Sequence, residues 1–149
     1  MRVIVDALGG DNAPEQVVLG AVEASRRYGV AVTLVGERSR VEGCLEEAEA
    51  EAPKARRADV DVFHAPEVIA PDEAPAAAVR AKRGSSMVVG LQMLKEGRGD
   101  AFVSAGSTGA LMAGGLLTLG RIPGIERPAI GSVYPTPSGG CLLRDMGAV

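Results

Sequence analysis

The chain has 149 residues, a formal net charge of −3, 46% hydrophobic and 23% charged residues, and no Trp. Such a chain can bury roughly 70% of its unfolded surface, enough for a real core, and the composition is globular rather than disordered. The weak negative charge argues against a nucleic-acid binder with a basic stripe, and two cysteines, Cys44 and Cys141, can make neither a disulfide scaffold nor a structural zinc site.

Met1-Arg2 leads straight into Val3-Ile4-Val5-Asp6, a β-branched run that reads as a buried strand rather than a signal peptide. The turn Ala7-Leu8-Gly9-Gly10-Asp11-Asn12-Ala13 follows, then Pro14 at a first helical position. The helix is expected to run to Tyr28, with Val17, Ala21, Ala24 and Tyr28 on one face, Val18 and Val22 widening it, and Gly29 as its stop. Ala31 to Val35 is a second strand. Ser39-Arg40-Val41-Glu42 has the form of a capping box for an acidic, solvated helix. Val60 to Phe63 is a third strand with His64, the only histidine, at its end.

Pro66, Pro71 and Pro75 break the next stretch into a loop. Short helices are expected at Ala76 to Lys82 and, after Gly84-Ser85-Ser86, at Met87 to Glu96, with Met87, Leu91 and Leu94 on one face. Ala101 to Ser104 is a fourth core strand, Thr108 to Gly120 a helix and Arg121 to Arg127 a loop. Ala129 to Val133 and Cys141 to Leu143 read as further strands, joined around Ser138-Gly139-Gly140. The uncharged stretch from Ala101 to Gly120 has the length of a membrane span, but its glycines and hydroxyls make it a strand, a turn and a buried helix. Strands and helices alternate, and the strands are apolar runs. That predicts an α/β fold: a mostly parallel sheet with helices on both faces.

In such a sheet ligands bind beyond the carboxyl ends of the strands. Two Gly-rich turns fall there: Gly9-Gly10-Asp11-Asn12-Ala13-Pro14 and Ser104-Ala105-Gly106-Ser107-Thr108-Gly109-Ala110. Each precedes a helix, whose free N–H groups and positive dipole end suit a phosphate or a developing oxyanion. Tight packing is the competing reason for glycine at such turns. Neither turn fits G-x-G-x-x-G, and no P-loop or G-x-S-x-G motif occurs. His64 suits either a site position or a hydrogen-bonded strand end, and Ser85 and Ser86 suit a helix cap or an anion. Arg80, Lys82 and Arg83 form one basic cluster and Arg121 and Arg127 another, each a solvated face or a phosphate partner. No ligand set for a metal is spaced in the chain.

The motifs together resemble one family. Asp6-Ala7-Leu8-Gly9-Gly10-Asp11-Asn12-Ala13-Pro14 is similar to the opening of the bacterial phosphate acyltransferases of phospholipid synthesis (the PlsX family). His64-Ala65-Pro66-Glu67-Val68-Ile69 resembles its H-A-x-E-x-I segment, and Ser85-Ser86-Met87 its S-S-M helix start. Ser104 to Ala110 resembles its S-A-G-N-T-G-A turn. Gly120-Arg121-Ile122-Pro123-Gly124-Ile125 with Arg127-Pro128-Ala129 resembles its G-R-I-x-G-I-x-R-P-A stretch. The resemblance covers essentially the whole chain.

It implies a fold similar to the phosphotransacetylases and isocitrate-dehydrogenase-like enzymes. The implied reaction is attack of inorganic phosphate on the thioester of a fatty acyl–acyl carrier protein, giving acyl phosphate and free carrier thiol. It also implies a cytoplasmic homodimer, peripherally associated with the membrane, with no metal or organic cofactor and no nucleic acid. Gly9, Gly10 and Asn12, with Asp11, would then shape one side of an anion site. Ser104, Gly106, Ser107, Thr108 and Gly109 would form the other, with Asn12, Ser104 and Thr108 as the catalytic candidates. His64, Lys82, Ser85, Ser86 and Arg121 are additional binding candidates, Lys82 and Arg121 for charge neutralisation.

The chain departs from the family pattern at Ser107, where the turn usually carries Asn. It departs again at Arg144-Asp145-Met146-Gly147-Ala148-Val149, which runs about one residue short of D-x-G-A-N and ends on Val. The family chain is roughly twice as long, so the expectation is an N-terminal half, produced by truncation, by a frameshift near Cys141 or by an incomplete gene model. The alternatives are a phosphotransacetylase-like enzyme using acyl-CoA and an inactive fragment, with a nicotinamide-dependent dehydrogenase further off on fold analogy alone.

Overall fold

A computed structural model describes residues 1–51, 57–126 and 128–144. The β-branched runs form β1 (Arg2–Asp6), β2 (Ala31–Gly36) and β3 (Val60–His64), and β4 (Ala101–Val103) is shorter. They make one parallel sheet in the order β3-β2-β1-β4. Its register runs Arg2 to Ala31 and Asp6 to Val35, Val3 to Ala101 and Val5 to Val103, and Gly36 to His64.

Alternation along these strands divides the core. Val32 and Leu34, with Val5 packed beside them, meet α1 (Glu15–Tyr28) and α2 (Arg38–Ala50) on one face. Ile4 and Val35 meet Met93 of α4 (Ser86–Lys95) on the other. Ile4 and Leu34 are completely buried, each contributing about 1.5–3 kcal/mol of transfer free energy. Outside α4 lie α3 (Pro75–Ala81) and α5 (Thr108–Thr118), which close a second cluster of Val79, Met87, Leu91 and Ala110. The helices therefore cover both faces as expected.

Several details differ from the sequence expectation. Pro14 is the N-cap of α1, one residue before its first helical position. The buried stripe of α1 is Val18, Ala21, Val22 and Ser25, while Tyr28 is 67% exposed with Arg27 over its ring. Val17 and Ala24 instead border a depression beside β1 and β4, because β4 is the sheet's edge and leaves that side open. Gly29 does end the helix, at φ +65°.

The cap of α2 is Glu37, not Ser39. Its carboxylate accepts from the N–H groups of Ser39 and Arg40, and the Ser39 hydroxyl donates to it as well. Glu42 pairs with Arg38 instead of reaching back. An acid two residues upstream reaches those donors, so the hydroxyl becomes a donor to the cap. The Arg40 N–H, followed by the Ser39 hydroxyl and N–H, holds the Glu37 carboxyl below its ordinary value of 4.5. Its contribution is therefore complete above that value and lost as pH falls through the lowered folded-state value. The thermal midpoint of the wild-type chain is expected to exceed that of Glu37→Gln at neutral pH, and the gap to close on acidification. A gap that stays constant down to pH 2 would refute the cap.

The last two strands do not extend the parallel sheet. β5 (Gly131–Thr136) and β6 (Gly139–Arg144) pair with each other in an antiparallel hairpin of their own. Only Pro137 and Ser138 separate them, whereas a parallel pair needs a crossover of about a dozen residues or more. Gly139, at φ +131°, takes a conformation that glycine adopts without a Cβ penalty. Arg127 and the end of the chain from 145, on which parts of the resemblance rest, lie outside the described residues.

Candidate functional site

β1 has β2 on one side and β4 on the other. The chain thus leaves β1 toward one edge of the sheet and later returns to the opposite side. This is a topological switch point, where crevices form at the carboxyl ends of parallel strands. The loops that open there are the two Gly-rich turns, about a hundred residues apart in sequence and in contact in space.

What joins them is Asp6, the last residue of β1, which is 2% exposed. Its Oδ2 accepts from the Ser104 hydroxyl at 2.7 Å, and its Oδ1 accepts from the Leu8 N–H at 3.2 Å. The Gly106 N–H donates in turn to Ser104 Oγ at 3.1 Å. Asp6 was legible only as the first residue of a motif and was not among the site candidates. The available signal was an acid closing an apolar strand, which needs partners once buried.

The glycines serve this contact. A Cβ at Gly9 would strike the Asp6 carboxylate and lie 2.9 Å from Ser104 Oγ, and one at Gly106 would lie 3.3 Å from the Gly9 Cα. Gly10 has φ +116° and would bring a Cβ to 3.1 Å from Ala105 Cβ. Gly109 packs on Pro75 of α3, where a Cβ would be 2.9 Å from the ring.

The hydroxyls divide between holding the site and facing it. Ser104 donates its hydrogen bond to Asp6, so it positions the turns. Ser107 is the N-cap of α5 and accepts from the Ala110 N–H at 3.3 Å. Thr108 opens the helix and is exposed, as are Asp11 and Asn12. The Asn12 carbonyl receives the Gln16 N–H at the start of α1, while its side chain has no hydrogen bond among the described residues. On the two turns, Asp11, Asn12 and Thr108 are therefore the exposed candidates whose polar side chains make no hydrogen bond among the described residues.

The first turn of α4 abuts the second turn: Met87 Cε lies 3.4 Å from where a Gly106 Cβ would be. There Ser85 is a cap, accepting from the Val88 N–H and donating to the Lys82 carbonyl. Ser86 is 1% exposed and its hydroxyl has no hydrogen-bond partner among the described residues.

The remaining candidates are held elsewhere. His64 ends β3, two strands from β1 and thus about 10 Å away across the sheet, where its Nδ1 accepts from the Arg38 N–H. Lys82 Nζ donates to Glu73 at 2.6 Å and to the Val68 carbonyl at 2.9 Å, clamping the loop before α3. That bond from Lys82, then one from the Ala70 N–H, lowers the Glu73 pKa. Arg121 Nη1 donates to the Glu126 carbonyl, folding its own loop. None of the three is bonded to the Gly-rich turns. A depression of about 700 Å³ bordered by Arg80, Arg83, Lys95 and Arg98 lies over α4 and touches neither turn. Burial raises the Cys44 thiol pKa above its usual value, so it is a poor nucleophile at neutral pH. Among the described residues no group of acids, histidines or cysteines could hold a metal ion, and no helix is long and apolar enough to cross a membrane.

A sequence model of the family described as "Fatty acid synthesis protein" matches residues 1–149, the whole length. The chain belongs to this family. It is 51% identical over 148 residues to a phosphate acyltransferase of Heliobacterium modesticaldum, covering 99% of the chain and 43% of that relative. It is 47% identical to the phosphate acyltransferase of Alkaliphilus oremlandii, with the same shares covered. A third, from Thermoanaerobacter pseudethanolicus, is 46% identical over 149 residues, with 99% of the chain and 42% of the relative covered. The chain thus spans less than half the length of these relatives, and the shared part contains both Gly-rich turns.

Proposed function

We propose that the chain carries the phosphate and thioester-carbonyl subsite of a phosphate acyltransferase, which moves a fatty acyl group from an acyl carrier protein thioester to inorganic phosphate. The observation that carries this reading is the joining of the two Gly-rich turns by Asp6 and Ser104 at the switch point. A phosphate oxygen attacks the thioester carbonyl carbon, the carbon–sulfur bond breaks, and the carrier thiolate leaves and takes up a proton. Phosphate dianion is already nucleophilic, so positioning and oxyanion stabilisation are the main requirements. The start of α5 offers backbone N–H groups, the positive end of the helix dipole and the Thr108 hydroxyl. Asn12 offers an amide from the facing turn. Work as a homodimer in the cytoplasm, beside the membrane, belongs to the same proposal.

The test is release of free thiol from acyl–acyl carrier protein, with and without phosphate. Thr108→Ala is expected to lower phosphate-dependent release about 10²-fold, in the range for loss of one oxyanion donor. Unchanged turnover in Thr108→Ala and in Asn12→Ala would remove both assignments. Equal turnover of acyl-CoA would favour the phosphotransacetylase-like alternative. A folded chain without any release would be an inactive fragment.

A further inference from the structure

The helix that begins at the second Gly-rich turn continues as one wall of an apolar groove. Leu111, Leu116 and Leu119 line it from α5 and the segment just after it, and Ile122, Ile125 and Ile130 from the following loop. The groove has a volume of about 470 Å³, within the usual range of roughly 300–1,000 Å³ for ligand sites. It is two-sided because the loop folds back on itself. Gly120 and Gly124 each have φ +85°, the Ile125 N–H donates to the Ile122 carbonyl, and Arg121 donates to the Glu126 carbonyl at 2.9 Å. Leu116, Leu119, Ile122 and Ile125 keep 42%, 45%, 74% and 49% of their surface exposed, so the groove leaves apolar side chains to water.

Thr108 belongs both to the Gly-rich turn and to the lining of this groove. From Thr108 the helical wall runs for about 15 Å at 1.5 Å per residue. A ligand with a polar, reactive head at Thr108 and a long unbranched apolar tail matches that sequence of surfaces. We propose that the α5 groove holds the hydrocarbon tail of the acyl group, with the thioester carbonyl at the Thr108 end. The proposal rests on the acyl-transfer reading for the identity of the head group.

Gly115 gives a clean probe, because it lines the groove and a Cβ there would meet nothing within 4 Å. Both Gly115→Ala and Gly115→Leu improve helix propensity, and thermal midpoints verify that each variant folds. The first readout is binding of cis-parinaric acid, a fluorescent long-chain fatty acid, to the whole chain. Each methylene withdrawn from water is worth about fourfold in affinity. Gly115→Leu, which displaces several, is therefore expected to weaken binding about tenfold or more, and Gly115→Ala about twofold or less. The second readout is thiol release, where Gly115→Leu is expected to raise KM for palmitoyl–carrier protein by a larger factor than KM for octanoyl–carrier protein.

Absence of parinaric acid binding to the wild-type chain, or equal binding to Gly115→Leu, would overturn the groove. So would a change from dimer to monomer in Gly115→Leu without loss of the fatty acid, which would make the groove a contact between copies. Binding lost in Gly115→Leu while no chain length shows phosphate-dependent release would sustain the groove and overturn the acyl-transfer reading.

Discussion

Asp6→Ala is expected to destabilise the chain by roughly 2–3 kcal/mol and to lower phosphate-dependent thiol release by about 10²-fold. The first figure follows from bonds to a charged group, worth about 1.5–3 kcal/mol, and from the donors left behind. The Ser104 hydroxyl and the Leu8 N–H would both lose their acceptor. Against a total stability of about 5–15 kcal/mol, that loss shows plainly in a urea midpoint. The second figure follows because the bridge sets the spacing of the two turns, and a displacement of about 1 Å in a site costs on the order of 10² in rate. Asp6→Asn retains one accepting oxygen and places an amide donor against one of the two donors, so its effects should fall between wild type and Asp6→Ala. Unfolding and turnover both unchanged in Asp6→Ala would show that the two turns are held by their glycine packing alone.

The part of this site that was legible in the sequence is the part encoded locally. Residues 2–6 and 31–36 are apolar enough to be strands under any pairing, and Gly29 stops a helix by its own backbone freedom. The two Gly-rich turns follow strands, so their place beyond carboxyl ends could be stated in advance. Their adjacency could not, because it depends on β4 pairing with β1 rather than with β3. The same limit applies to polar groups. A sequence shows that Ser104 has a hydroxyl, but not that a buried carboxylate will accept its hydrogen bond. It shows Lys82 and Arg121 as cations, but not that Glu73 and a backbone carbonyl hold them in place. Glu37 displaced Ser39 as a cap for a related reason: several acceptors compete for the same N–H groups, and reach decides the outcome. The hairpin was a matter of loop length: the sequence offered two strands joined around Ser138-Gly139-Gly140, and the two residues between them leave each strand to pair with the other.

Gly9→Ala is expected to destabilise the chain as well, by less than loss of the aspartate, for a steric reason that a double substitution can isolate. The added methyl would occupy the space of the Asp6 carboxylate and press on Ser104 Oγ, 2.9 Å from the new carbon. Asp6 is buried in place by two hydrogen bonds, so it can yield only by breaking them. Overpacking of this kind costs about 1–3 kcal/mol, more than the roughly 0.4–1 kcal/mol that Gly to Ala returns by restricting the unfolded chain. The net change is destabilising, and the turns are forced apart at the point where the anion would bind. Truncating Asp6 to Ala removes the atoms the new methyl would strike. The combined Gly9→Ala/Asp6→Ala chain should therefore be less destabilised than the sum of the two single changes, by about 0.5 kcal/mol or more, the scale of coupling between residues in contact. Urea unfolding of the four chains measures that difference directly. Strict additivity would mean that the Gly9 methyl and the Asp6 carboxylate do not compete for one space, and the contact between the turns would then rest on Gly10, Ala105 and Gly106 instead.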